Sequence, residues 1–253
     1  MAPKVDAMRA RNIIVIPKME DGDKFLIIQP HPDDAELFAG GFVALMRERK
    51  KEVVYVTVTD GAMGTWDPEL KPEDLIRIRR REAEEAASVL GVSRLIFLGY
   101  PDADSLSHKE LRKVFIRLIR EERPDGLLLP DPWLPYEAHS GHVVVGLAGA
   151  EAVLFSPLPH FEPKGVTHQL SFVAFYATHR PNTFVDVTSL WEKKLEAIKK
   201  HESQFSPQLF QKLSLYLGLR SKEWGEGKGM EKAEAFKVLT PSHLHANVDT
   251  LEC

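Results

Sequence analysis

An α/β fold, with a mostly parallel sheet flanked by helices, is what this sequence predicts, and three observations carry it. Strand-like runs alternate with amphipathic helical stretches over residues 24–157, the order expected of repeated βαβ units. Val53 to Val58 is a β-branched run of the kind buried on both faces of a parallel sheet. After Pro157 the pattern changes to strand and helix additions, with no internal repeat or low-complexity tract. One domain is expected over residues 1–253, with its core at about 24–157 and an elaboration at about 158–253.

The elements follow in order. Residues 24–29 read as a strand, and 35–50 as a helix with Leu37, Phe38, Phe42, Leu45 and Met46 at helical spacing. Arg47, Arg49 and Lys50 complement its negative end. Gly40 and Gly41 inside it predict close backbone packing on the sheet, since glycine there otherwise only destabilises. The strand 53–58 ends in Thr59-Asp60-Gly61, and a helix over 73–90 has Pro72 near its start and Gly91 beyond its end. Leu95 to Leu98 is the third strand, and Ser107-x-x-Glu110 predicts a capping box for a helix to about Glu121. A strand at 126–129 and a helix at 142–155 complete the core. Beyond it, 172–177 and 183–187 read as a strand pair around His179-Arg180-Pro181-Asn182. Ser189-x-x-Glu192 predicts a helix start, residues 208–220 a further helix, and 225–232 a surface loop.

Composition removes several function classes. A formal net charge of −4 offers no broad cationic field for phosphate backbones, so nucleic acid is not an expected partner. The one cysteine, Cys253, excludes an intramolecular disulfide and a cysteine-based zinc site. No apolar run is long enough to cross a bilayer, and the N-terminal Met-Ala-Pro-Lys-Val-Asp lacks a signal-peptide core. The expected compartment is the cytoplasm.

Chemistry concentrates at the ends of the strands. His31-Pro32-Asp33-Asp34 follows the first strand, and composition alone would produce that string on the order of 0.002 times in such a chain. A bland alternative makes Asp33 or Asp34 a helix cap. Asp60, Asp102 and the stretch from Asp131 to His142 follow the next three strands, so four strand ends deliver polar groups to one edge of the sheet. A catalytic zinc takes three protein ligands and keeps a position for water. His31, Asp34 and His142 meet that count, which leaves Asp33 as a spare base and His139 as a candidate acid or charge stabiliser.

These residues resemble the LmbE-like or PIG-L family of zinc-dependent deacetylases, whose fold is Rossmann-like and whose signature is His-Pro-Asp-Asp with a downstream His-x-x-His. Thr59 to Thr65, Pro130 to His139 and the spacing from Phe236 to His245 look like the archaeal diacetylchitobiose deacetylases of that family. The resemblance implies one Zn2+ held by His31, Asp34 and His142, with Asp33 as general base. It implies that His139 stabilises or protonates the reacting group and that His245 polarises the acetyl carbonyl, with His243 the competing choice. It further places Arg79 and Asp102 on sugar hydroxyls, whereas Trp133 is either a pyranose platform or a packed loop aromatic. An amino-sugar substrate and a homo-oligomer are implied with them.

The family usually has Asp directly before the second histidine ligand, where this chain has Gly141. Either another acid such as Glu137 orients the imidazole, or the enzyme is weaker. The expected activity is hydrolysis of an N-acetyl group from an N-acetylglucosamine-containing sugar, diacetylchitobiose first. The alternatives are an N-acetylglucosaminyl conjugate of thiol biosynthesis and a non-catalytic sugar- or metal-binding protein.

Overall fold

The computed structural model describes residues 14–102, 106–161, 163–248 and 250–253. The N-terminal hexapeptide considered above lies outside the described residues. The core alternates β1 (Lys24–Gln29), α1 (Asp34–Glu48), β2 (Glu52–Thr59), α2 (Pro72–Leu90), β3 (Arg94–Tyr100), α3 (His108–Glu122), β4 (Gly126–Pro130) and α4 (Ser140–Phe155). The elaboration adds β5 (Phe172–Tyr176), β6 (Thr183–Asp186), α5 (Trp191–Lys199), α6 (Pro207–Gly225) and β7 (Ala233–Leu239).

A seven-stranded sheet takes strands from both parts in the order β3-β2-β1-β4-β5-β7-β6. The first five are mutually parallel, and β7 runs antiparallel to both β5 and β6. Alternation along β1 shows how the sheet is covered. Phe25 and Ile27 face a core that includes Phe42 of α1, Leu90 of α2, Ile198 of α5 and Leu217 of α6. Leu26 and Ile28 face the other, with Phe115 of α3 and Val153 of α4. The chain runs outward from β1 to β3 and returns to the opposite side of β1 as β4. The reversal opens a crevice at the carboxyl ends of β1 and β4, where ligands of such sheets bind.

Three expectations need correction. β5 and β6 are not a hairpin: β7 lies between them and pairs with both. No strand at 233–239 is read from the sequence, where Glu234 and Lys237 interrupt the apolar run. Both are buried all the same, Glu234 accepting from Lys194 Nζ at 2.6 Å and Lys237 donating to the Cys253 carbonyl at 2.8 Å. Ser189 is not a helix cap, since a 3-10 turn occupies Thr188–Leu190 and α5 starts at Trp191. Ser107 does cap α3 by accepting from the Glu110 amide.

The paired glycines of α1 do permit a close approach, although not to bare sheet. A Cβ on Gly41 would lie 2.7 Å from that of Val187, and one on Gly40 would lie 3.2 Å from Cγ of Lys194. The amides of Gly41 and Phe42 donate to the Glu234 carboxylate at 2.8 and 2.7 Å.

Candidate metal centre

β1 ends at Gln29, whose side-chain carbonyl accepts from the Ala35 amide at 2.8 Å and so ties the start of α1 to the strand end. His31 to Asp34 occupy the turn between them. Asp33 is the N-cap residue of α1, yet its carboxylate makes no capping bond. It accepts instead from Arg79 Nη2 at 3.2 Å. Asp34 accepts the backbone N–H of His31 at 2.9 Å, which holds the turn with its side chain inward. The capping account of the two aspartates is therefore the weaker one.

His142, in the first turn of α4, completes a cluster. His31 Nδ1 lies 3.3 Å from Asp34 Oδ2, His142 Nε2 lies 3.4 Å from Asp34 Oδ1, and the two imidazole nitrogens are 3.3 Å apart. The two histidines reach different oxygens of Asp34, and with one donor atom from each residue the three lie within 4.8 Å of one another, a grouping that could hold one small divalent cation. Each histidine also has an acid at its other nitrogen. Asp102 Oδ1 is 3.1 Å from His31 Nε2, and Glu137 Oε2 is 3.7 Å from His142 Nδ1.

Burial and charge set the protonation of the group. Burial opposes a charge on His31, but hydrogen bonds to Asp102 and Asp34 outweigh it and raise its pKa to about 10. Asp34 is pulled below the usual carboxylate range, burial being overcome by His31 and His142. Asp33 goes the other way: burial first, then the Asp34 charge, push it up to about 6 against the pull of Arg79, His201 and His31. His139 packs with ring centroids 4.6 Å from His31 and 5.1 Å from His142, and burial with those neighbours lowers its pKa.

A cleft of about 280 Å3 opens on the His31 side of the cluster, lined by His31, Asp33, Arg79, Asp102, His139 and Gln204 among others. Arg79 reaches it because two glycines leave room: a Cβ on Gly61 or Gly64 would lie 2.8 or 2.5 Å from its Nη1. Gly61 has φ +70°, a conformation glycine adopts without strain.

The family described as PIG-L, GlcNAc-PI de-N-acetylase, matches residues 26–153. The chain belongs to the PIG-L family. It is 38% identical over 230 residues to diacetylchitobiose deacetylase of Thermococcus kodakarensis, covering 89% of this chain and 86% of that one. A probable N-acetyl-alpha-D-glucosaminyl L-malate deacetylase 2 of Bacillus anthracis is 32% identical, over 74% of this chain and 84% of that relative. The solved N,N'-diacetylchitobiose deacetylase of Pyrococcus horikoshii, complexed with an inhibitor, superposes with a TM-score of 0.85 at 39% identity, covering 90% of this chain and 88% of that one.

Among the residues the family resemblance singled out, His31, Asp33, Asp34, His139 and His142 come together with Arg79 and Asp102. The last two have protein partners as well as cleft exposure, since Arg79 bonds Asp33 and Asp102 bonds His31. Trp133 is elsewhere, packed against Phe175 in a neighbouring cavity. His245 is exposed and lines neither cavity, because the 3-10 turn Pro241–Leu244 directs His243 inward and leaves the chain extended at His245. A Cβ at Gly141 would face His139 Nδ1 at 3.2 Å, while the acid beside His142 comes from Glu137. Neither Ser203 nor Gln204 is assigned to the site by sequence reasoning. Ser203 binds Glu82, but Gln204 lines the cleft and donates to the Gly64 carbonyl at 2.9 Å.

Proposed function

We propose that this protein is a metal-dependent N-deacetylase that hydrolyses the acetamide of an N-acetylglucosamine-type sugar, diacetylchitobiose first, releasing acetate and a free amine. The observation that carries it is the pairing of a three-donor cluster with a separate buried carboxylate, Asp33, which lines a cleft together with His31 of that cluster. The identity to the Thermococcus diacetylchitobiose deacetylase over most of both chains supports the substrate.

His31, Asp34 and His142 would hold the ion, and the all-nitrogen-and-oxygen donor set suits Zn2+. When bound, the ion supplies Lewis acidity for the acetyl carbonyl and for a water molecule. Asp33 accepts the proton of the attacking water and then delivers it to the leaving amine. A carboxyl pushed up to about 6 by burial can do both near neutral pH. A cation beside it adds to the opposing pull of Arg79, so the acid limb of kcat/KM is expected at or below pH 6. Arg79, held by the Gly61 carbonyl at 3.0 Å, fixes the Asp33 carboxylate in place. His139, its pKa lowered first by burial and then by His31 and His142, offers one N–H to the developing oxyanion. Asp102 orients His31 and presents its remaining lone pairs to sugar hydroxyls.

The sheet that runs through core and elaboration supports a single domain. Self-association is supported by the exposed Leu209, Leu215, Tyr216 and Leu219 of α6. Among the described residues no helix is long and apolar enough to cross a membrane, which supports the cytoplasm together with the lone cysteine.

Acetate release tests the reading. Diacetylchitobiose should yield stoichiometric acetate in a reaction stopped by chelation and restored by Zn2+. Turnover only of an N-acetylglucosaminyl malate would move the assignment to that conjugate, and binding of sugar without acetate release would make the protein a binding module.

A further inference from the structure

The metal cluster stands between two cavities of opposite character. On its His31 side is the cleft already described, with Asp33, Arg79, Asp102, His139 and Gln204 in its lining. On its His142 side lies a cavity of about 310 Å3 whose walls come from both parts of the chain. Leu37 and Phe38 enter it from α1, one turn after Asp34, and Leu134 from the loop that carries Glu137. Trp191 of α5 and Leu217 and Trp224 of α6 add further apolar surface. Phe38 is held by stacking on Tyr176, with ring centroids 5.8 Å apart and planes 10° from parallel.

The charged groups of this cavity are already answered by the protein. Lys194 donates to the buried Glu234 carboxylate at 2.6 Å, and that carboxylate also accepts from the Gly41 and Phe42 amides. Arg220 pairs with Glu223 at 2.7 Å and lies over the Trp224 ring. Glu137 is engaged by the His139 amide and faces His142. No charge there calls for an opposite charge on a ligand. What a ligand can cover is aliphatic and aromatic surface, so the cavity suits a hydrocarbon group.

An amide carbon carries its nitrogen and its acyl carbon on opposite sides of the carbonyl. The sugar nitrogen belongs to the polar cleft, where hydroxyls meet Arg79 and Asp102, so the acyl carbon projects across the cluster to the His142 side. An acetyl methyl would occupy a small fraction of about 310 Å3, a volume within the range of small-molecule sites. We propose that this cavity is an acyl pocket, and that the enzyme also hydrolyses amino sugars whose N-acyl chain is unbranched and about four to six carbons long. The reaction keeps its form: the C–N bond breaks, and one water gives its oxygen to the acyl carbon and its two hydrogens to the nitrogen, leaving a carboxylate and an ammonium sugar. This assignment rests on the deacetylase reading and widens its substrate class.

The test measures kcat and KM of the metal-loaded enzyme on N-acetyl-, N-butanoyl- and N-hexanoylglucosamine, in wild type, Ser221→Leu and Trp224→Ala. Ser221 and Trp224 stand one turn apart on α6, so the first substitution fills the cavity and the second removes part of its wall. Burial of each added CH2 is worth about fourfold, and wild-type KM should fall at least roughly tenfold from acetyl to hexanoyl with little change in kcat. Each variant should raise the hexanoyl KM about tenfold and move the acetyl constants less than twofold, because the acetyl methyl does not reach α6. A wild-type KM that does not fall with chain length, no turnover of the hexanoyl sugar, or equal losses on acetyl and hexanoyl would overturn the proposal. Trp224 is only partly buried, so its variant keeps the test decisive if Ser221→Leu does not fold. If wild type hydrolyses none of the three sugars, the deacetylase reading fails. Calorimetry with the same sugars then tests the cavity alone: hexanoyl binding tighter than acetyl and weakened in Trp224→Ala supports it, and equal or undetectable wild-type binding refutes it.

Discussion

Glu137 answers the question that Gly141 raises. The loop folds so that one Glu137 oxygen accepts the His139 amide at 2.8 Å while the other faces His142 Nδ1 at 3.7 Å. Glu137→Gln keeps an acceptor for the amide and removes the charge, so it should weaken metal binding about 10- to 100-fold with an unchanged melting temperature of the metal-free protein. Chelator competition measures the first and calorimetry the second; equal affinities would leave Glu137 as a loop brace only. Gly141→Asp should not improve affinity, because its side chain would start against His139. Proton competition acts on the same site. Asp102 and Asp34 hold a proton on His31 up to about pH 10, and an ion must displace it. Apparent metal affinity should therefore fall roughly tenfold for each unit that pH drops from 8 to 6. A flat profile would show that His31 is not a ligand. The clustered His31, Asp34 and His142 were legible in sequence because one short motif carries two of them with Asp33 between. Glu137 stood only as a possible substitute for the missing Asp, since its pairing depends on how the loop folds back.

At the scale of elements, the parallel core was readable because each strand has an unbroken apolar run and each helix a distinct end signal. The elaboration was not, and β7 shows why. Glu234 and Lys237 are charges in a buried strand, tolerated because Lys194, two α1 amides and the Cys253 carbonyl satisfy them. Without β7 in view, two strands near in sequence were read as a pair, although the sheet inserts a later strand between them. Glu234 also joins α1 to the elaboration through contacts that glycine alone permits. Gly41→Ala should destabilise the protein by about 1–3 kcal/mol, the cost of overpacking against Val187 and Glu234. Denaturant unfolding checks this, and a stability gain of the size expected from helix propensity alone would show that the helix can shift away.

For the whole molecule, the reversal of strand order beside β1 makes the site. It brings the turn after β1, the loop after β3 and the start of α4 to one crevice, which is why a fold class and four strand ends sufficed to locate the centre. The elaboration supplies what the core sequence could not announce: Gln204 in the cleft, and the strand and helices that wall the apolar cavity. The proposed mechanism divides labour at the centre between three side chains that would hold an ion and one carboxylate that would move a proton. Metal content and turnover measured together on Asp33→Asn, Asp34→Ala and His142→Ala test that division most directly. Asp33→Asn should retain one Zn2+ per chain and lose about 10²- to 10⁴-fold in kcat, while the other two should lose stoichiometric Zn2+. Zinc lost from Asp33→Asn but kept in Asp34→Ala, or full turnover in any of the three, would contradict it.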